Sequence, residues 1–96
     1  MSRILTVGFE FHDIFYYSLV NVKEIEGETQ YKITVMNGDL EKMLLRNNII
    51  KEKNGYLYIE ISEDKNHDEL KLKIAEALSA FLKLPLQKKL KMDKIY

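Results

Sequence analysis

The sequence predicts an α+β fold: a mainly antiparallel sheet with one long C-terminal helix packed on one face. Three observations carry this. The first 37 residues alternate apolar and polar with period two. Asn54-Gly55, the strongest short hairpin signal, joins two apolar runs. Leu70, Ile74, Ala77, Leu78 and Phe81 fall on one helical stripe. The expected order is βββ-α-ββ-α, and the pairing of the first three strands with the second hairpin is left open.

The first hairpin lies in FEFHDIFYY, Phe9 to Tyr17, which holds half of the chain's aromatic residues. A two-residue turn at His12-Asp13 pairs Phe11 with Ile14, Phe9 with Tyr16, Val7 with Ser18 and Leu5 with Val20. Cross-strand partners share a face, so Leu5, Val7, Phe9, Phe11, Ile14, Tyr16, Val20 and Val22 all point one way. A second turn at Glu26-Gly27 pairs Val22 with Tyr31, Val20 with Ile33 and Ser18 with Val35. The two turns, placed independently, give the same face to the same residues. A slip of one residue would have sent them to opposite faces.

Asn37-Gly38-Asp39 closes the third strand, and Asp39 is the expected N-cap of a short helix carrying Leu40, Met43 and Leu44. Asn47-Asn48 closes that helix. Ile49 to Ile61 is the second hairpin, with Ile50, Leu57, Ile59 and Ile61 facing the core, and Ile49, Lys51, Lys53, Tyr56 and Tyr58 facing away. Asn66 and Glu69 form a capping-box-like pair at the start of the long helix, and Pro85 stops it. Leu72, Ala75 and Leu82 make its apolar face wider than a single stripe. Residues 1–84 are therefore expected to form one α+β domain. Residues 85–96, rich in lysine from Lys88 and Lys89 through Lys91 to Lys94, are expected to form a basic tail, weakly amphipathic through Leu86, Leu90 and Met92.

Composition narrows the function classes. The chain has 96 residues, no cysteine and a formal net charge of zero, with fifteen basic and fifteen acidic side chains. Disulfides, thiolate metal sites and cysteine nucleophiles are excluded. Bulk electrostatic attraction to nucleic acid or membrane is disfavoured, though a local patch is not. No apolar run is long enough for a bilayer span, and the missing cysteine fits a cytoplasmic setting.

Catalytic and ligand signals are weak. His12 and Asp13 are adjacent in a turn, where neighbours rarely face one another, and turn chemistry accounts for Asp13. His67 opens the long helix as a solvated residue. Glu24, Glu26 and Glu28 gather in one turn, and Glu63, Asp64, Asp68 and Glu69 in another, without an EF-hand pattern. The glycines are isolated, so no phosphate-cradling loop is present. Gly8 interrupts an outer strand face, which marks a bulge or a close approach. No catalytic, cofactor or metal site is expected, and the chain is read as a non-enzyme.

The outer sheet face is the strongest lead. A sheet needs one apolar face for its core, yet Phe15, Tyr17, Leu19, Tyr56 and Tyr58 fall on the other, with Ile4 and Met36 beside them. Tyr and Phe are good strand formers in any case, but a contiguous exposed patch points to contact. The expectation is a small interaction module that self-associates, or binds another protein, through this aromatic face or the C-terminal helix. The alternative is a single-stranded nucleic-acid-binding module, with tyrosines for stacking and Lys51, Lys53, Lys88, Lys89 and Lys91 as basic contacts. Against it, the chain lacks an RNP-type motif and has only two arginines, Arg3 and Arg46.

Overall fold

The fold was analysed in a computed structural model that describes residues 3–44, 48–61 and 65–90, with side chains for all of these except 60–61, 65–68 and 89–90. The elements run β1 (Arg3–Phe11), β2 (Ile14–Ile25), β3 (Glu28–Val35), α1 (Gly38–Leu44), β4 (Ile49–Lys53), β5 (Tyr56–Ile61), α2 (Lys65–Leu82) and β6 (Leu86–Leu90). Among the described residues they build one six-stranded sheet, ordered β1 to β6 as in sequence. Four of the pairings are antiparallel, and β5 pairs with β6 in parallel through α2. The class is α+β, as the sequence predicts.

The hairpin registers follow from turn chemistry. His12-Asp13, Glu26-Gly27 and Asn54-Gly55 are two-residue loops in which both residues have positive φ. That is the type I′ turn, whose twist matches that of the strands it joins. The turns set Phe9 opposite Tyr16, Val7 opposite Ser18, Val20 opposite Ile33 and Val22 opposite Tyr31, the expected pairs. The open pairing is settled by β3 and β4, where Tyr31 lies opposite Ile50 and Lys32 opposite Ile49.

One face of this sheet is the core. Val7, Phe9, Val20, Ile33, Ile50 and Leu57 are buried on it, and Leu70, Ile74, Ala75 and Leu78 of α2 are buried against it. Each fully buried Leu or Ile contributes about 1.5–3 kcal/mol relative to exposure. The close backbone contacts of α2 are with β1, β5, β6 and α1. The sheet therefore curls toward the helix at its sides, and side chains of the middle strands fill the hollow. Ser18, also fully buried there, donates its hydroxyl to the Val7 carbonyl at 2.9 Å, so its polarity is satisfied.

Several local expectations are corrected. The N-cap of α1 is Asn37, not Asp39: Asn37 Oδ1 accepts the backbone N–H groups of Asp39 and Leu40, each at 3.1 Å. Glu41 reaches back to accept the Val35 N–H at 2.7 Å, tying the helix to the end of β3. Helix α2 opens at Lys65, one residue ahead of the expected cap Asn66, whose side chain lies outside those described. Ile14 shares the core face but is exposed, because it sits at the tip of the first hairpin. Phe81 is 53% exposed although it lies within about 20° of Ile74 around the helix. The last turn of α2 thus overhangs the strands.

The largest difference is at the C-terminus. Leu86–Leu90, expected within a basic tail, is strand β6, with Leu86 beside Leu57 and Lys88 beside Ile59. The helix ends in a Schellman motif: Lys83 is left-handed (φ 59), and the Leu84 N–H returns to the Ser79 carbonyl at 3.1 Å. Pro85 then starts the new strand, its carbonyl accepting from Leu57 N–H at 2.9 Å. A left-handed residue with a Cβ is strained, and glycine is the usual occupant of this position. Lys83→Gly is therefore expected to stabilise the fold by about 1 kcal/mol, raising the thermal midpoint by about 4–8 °C. A lowered midpoint in a thermal melt would contradict this account of the helix stop.

Candidate functional site

The outer face divides into two corners. In the first, β2 carries Phe15, Tyr17 and Leu19 in line, with Thr6 and Gly8 on one side and Met36 and Thr34 on the other. Ile4 (66%), Phe15 (59%), Tyr17 (54%) and Met36 (62%) are all more than half exposed, while Leu19 between them is half-buried. The Phe15 and Tyr17 rings meet edge to face at 5.2 Å, which holds both in place.

Gly8 belongs to this corner. It pairs regularly with Tyr17, so the expected bulge is not there. What approaches it closely is the Phe15 ring: a Cβ on Gly8 would come within 2.3 Å of the ring tip. The missing side chain leaves room for the ring tip over the β1 backbone, the pattern in which an aromatic shields a strand glycine.

The second corner lies on β4 and β5. Lys51 is opposite Tyr58 and Lys53 opposite Tyr56, and the two tyrosine rings are 6.4 Å apart. Tyr56 is exposed and Tyr58 half-buried. Counting registers across the sheet, Tyr58 lies six residues along and three strands over from Tyr17. That is about 25 Å on strand spacings. The candidate residues share a face but do not form one site. Of the other basic candidates, Lys88 and Lys89 stand on β6, registered with Ile59 and Glu60, and Lys91 lies outside the described residues.

A cleft of about 410 Å³ opens at the second corner. Lys51, Lys53, Asn54, Tyr58, Ile49 and Glu28 line it, and Lys71 reaches it from α2. Glu28 is held by Gln30 Nε2 at 3.1 Å and lies 3.9 Å from the Lys51 ammonium. Lys71 is the residue that sequence reasoning missed. Two lysines, Lys71 and Lys73, lie between Leu70 and Ile74; Lys73 is exposed and Lys71 only 5% exposed, a difference that sequence spacing does not give.

The other ionisable candidates have structural roles. His12 stacks on Phe11, ring centres 4.0 Å apart, and its Nε2 lies 3.2 Å from Glu69 Oε2. It ties the first turn to α2 instead of forming a dyad with Asp13. Glu63 and Asp64, and the side chain of Asp68, fall outside the described set. Among the described residues no cluster of metal-ligating side chains is found, and no helix is long and apolar enough to cross a membrane.

On the core side, beyond the reach of α2, a recess of about 290 Å³ is lined by Arg3, Glu24, Thr29, Tyr31 and Glu52. The buried Tyr31 hydroxyl donates to Glu52 Oε1 at 2.5 Å. Burial first, then this hydrogen bond and the Glu52 charge, push the Tyr31 hydroxyl well above the usual phenol range. In the unfolded chain a tyrosine ionises near pH ~10. Above that pH the unfolded state loses a proton that the folded state keeps, so stability falls as pH rises. Tyr31→Phe is expected to remove part of this alkaline loss. At neutral pH it should cost about 1 kcal/mol, because Glu52 loses its donor. Urea unfolding at neutral and alkaline pH checks both; an equal alkaline loss in the variant would contradict the assignment.

Compared with known proteins, the chain matches no family model, no curated protein and no solved structure.

Proposed function

We propose that this chain is a non-enzymatic interaction module that associates with a second copy of itself through the Phe15–Tyr17 corner of the outer sheet face. The observation that carries the reading is the exposure of Phe15 and Tyr17 on β2 with Met36 beside Tyr17 just past the end of β3, a patch that Leu19 continues toward the exposed Ile4. Contiguous apolar surface of this kind marks contact sites. Aromatic residues fixed by their neighbours lose little conformational entropy on binding.

Charge favours a second copy as the occupant. In a two-fold interface the same patch meets itself, so a strong charge of one sign would face its like. The rows of Phe15, Tyr17 and Leu19 carry one charged side chain, Glu10, among apolar residues and threonines. Lys32 stands in the next row, level with Asn21 and Ile4, and Lys23, Lys51 and Lys53 stand further along the strands.

The chain mass is 11.4 kDa. Light scattering behind a sizing column is expected to give a mass that rises toward twice this value with concentration. Tyr17→Ser should weaken association by about tenfold or more and leave the thermal midpoint within a few degrees, since Tyr17 is outside the core. A strict monomer at all concentrations, or a Tyr17→Ser variant that associates like the parent, would contradict the reading. Loss of folding in that variant would show Tyr17 to be core.

A further inference from the structure

We infer that the polar recess beyond α2 binds a small zwitterion of the amino-acid class, with Arg3 holding its carboxylate and Glu24 and Glu52 its ammonium. Two neighbouring rows of the sheet build this recess on the core side. Arg3, Val22 and Tyr31 are paired in one row, and Glu24, Thr29 and Glu52 in the next. All six line it. The rows are two residues apart, about 7 Å, and Glu24 and Glu52 are two strands apart, about 10 Å. The volume of about 290 Å³ lies just under the range of drug-sized sites, about 300–1,000 Å³, which suits a molecule of a few heavy atoms.

The charges here are opposed but not closed. Arg3 and Glu24 are exposed, and neither makes a hydrogen bond or ion pair among the described residues. They are diagonal neighbours across β1 and β2, a spacing that long side chains can bridge, yet they stay apart. Arg3, Glu24 and Glu52 all act electrostatically on the Tyr31 hydroxyl, so the three charges surround one point. That hydroxyl is fixed: Tyr31 is buried and donates to Glu52 Oε1. The bond uses its proton and leaves the phenol oxygen able to accept, and Glu52 keeps its second oxygen. An ammonium between Glu24 and Glu52 therefore meets acceptors: two carboxylates, the phenol oxygen and the Thr29 hydroxyl. Arg3 offers the planar fork that takes a carboxylate bidentately. A cation alone would face the Arg3 charge, and an anion alone would face two carboxylates. A molecule carrying both charges satisfies both sides.

Glycine, γ-aminobutyrate, ethylamine and propionate are each titrated at low salt and neutral pH into the ¹⁵N-labelled protein. Saturable amide shifts are expected around Arg3, Val22, Glu24, Thr29 and Glu52 with a zwitterion. Saturation by glycine assigns the recess to α-amino acids, and saturation by γ-aminobutyrate alone assigns it to amino acids with more widely separated charges. Ethylamine and propionate carry one charge each and should bind about tenfold more weakly. Arg3→Gln and Glu24→Gln should each weaken zwitterion binding about tenfold. Both side chains are exposed, so neither variant disturbs the core. Arg3→Gln should also erase the preference for the zwitterion over ethylamine. The inference is overturned if neither zwitterion saturates, or if either variant binds like the parent. Ethylamine binding as tightly as the zwitterion would overturn the role of Arg3, and propionate doing so would overturn that of the two glutamates.

Discussion

The structure depends on the register held by three two-residue turns. In a strand, side chains alternate between faces, so the turn that joins two strands decides which residues are buried together. At His12-Asp13, Glu26-Gly27 and Asn54-Gly55 the backbone takes positive φ at both positions. Each turn leaves no spare residue, and each sets apolar partners on the same side. Val7, Val20 and Ile33 therefore reach a common face, the pairing of Tyr31 with Ile50 brings Ile50 and Leu57 to it, and Leu70, Ile74 and Leu78 seal it. Without that agreement there would be no single surface for α2 to cover.

The same alternation explains why so much of the fold is legible in the sequence. Hairpin pairing is a local property, and two-residue turns between alternating runs specify it fully. What escapes is set by geometry further away. Phe81 has the right angle on the helix but overhangs the sheet, and helical spacing carries no information about where the strands stop. Strand β6 escapes because Lys88 and Lys89 interrupt the apolar pattern of Leu86 and Leu90. Lysines on an outer strand protect a sheet edge from further pairing, so the composition that reads as a tail is also that of an edge. Asn37 and Asp39 are both good caps, and only the hydrogen bonds of Asn37 Oδ1 distinguish them.

The candidate site was legible as a face but not as a place. Parity alone assigned Phe15, Tyr17, Tyr56 and Tyr58 to the outer surface. The distance between the two pairs needed the β3–β4 register, which no local turn specifies. Once that register is known, the face resolves into an apolar corner around Phe15 and Tyr17 and a cleft lined by Lys51 and Lys53. Lys71 joins the cleft from a helix distant in sequence, and its burial could not be read from strand periodicity.

The central claim is that the core face is closed by α2 while the apolar corner of the outer face is the contact surface. Amide chemical shifts measured across a wide range of protein concentration test it most directly. The account predicts concentration-dependent shifts confined to the outer corner, at Ile4 to Glu10, Phe15 to Leu19 and Met36. Shifts centred instead on α2 around Phe81, or spectra that do not change with concentration, would contradict it.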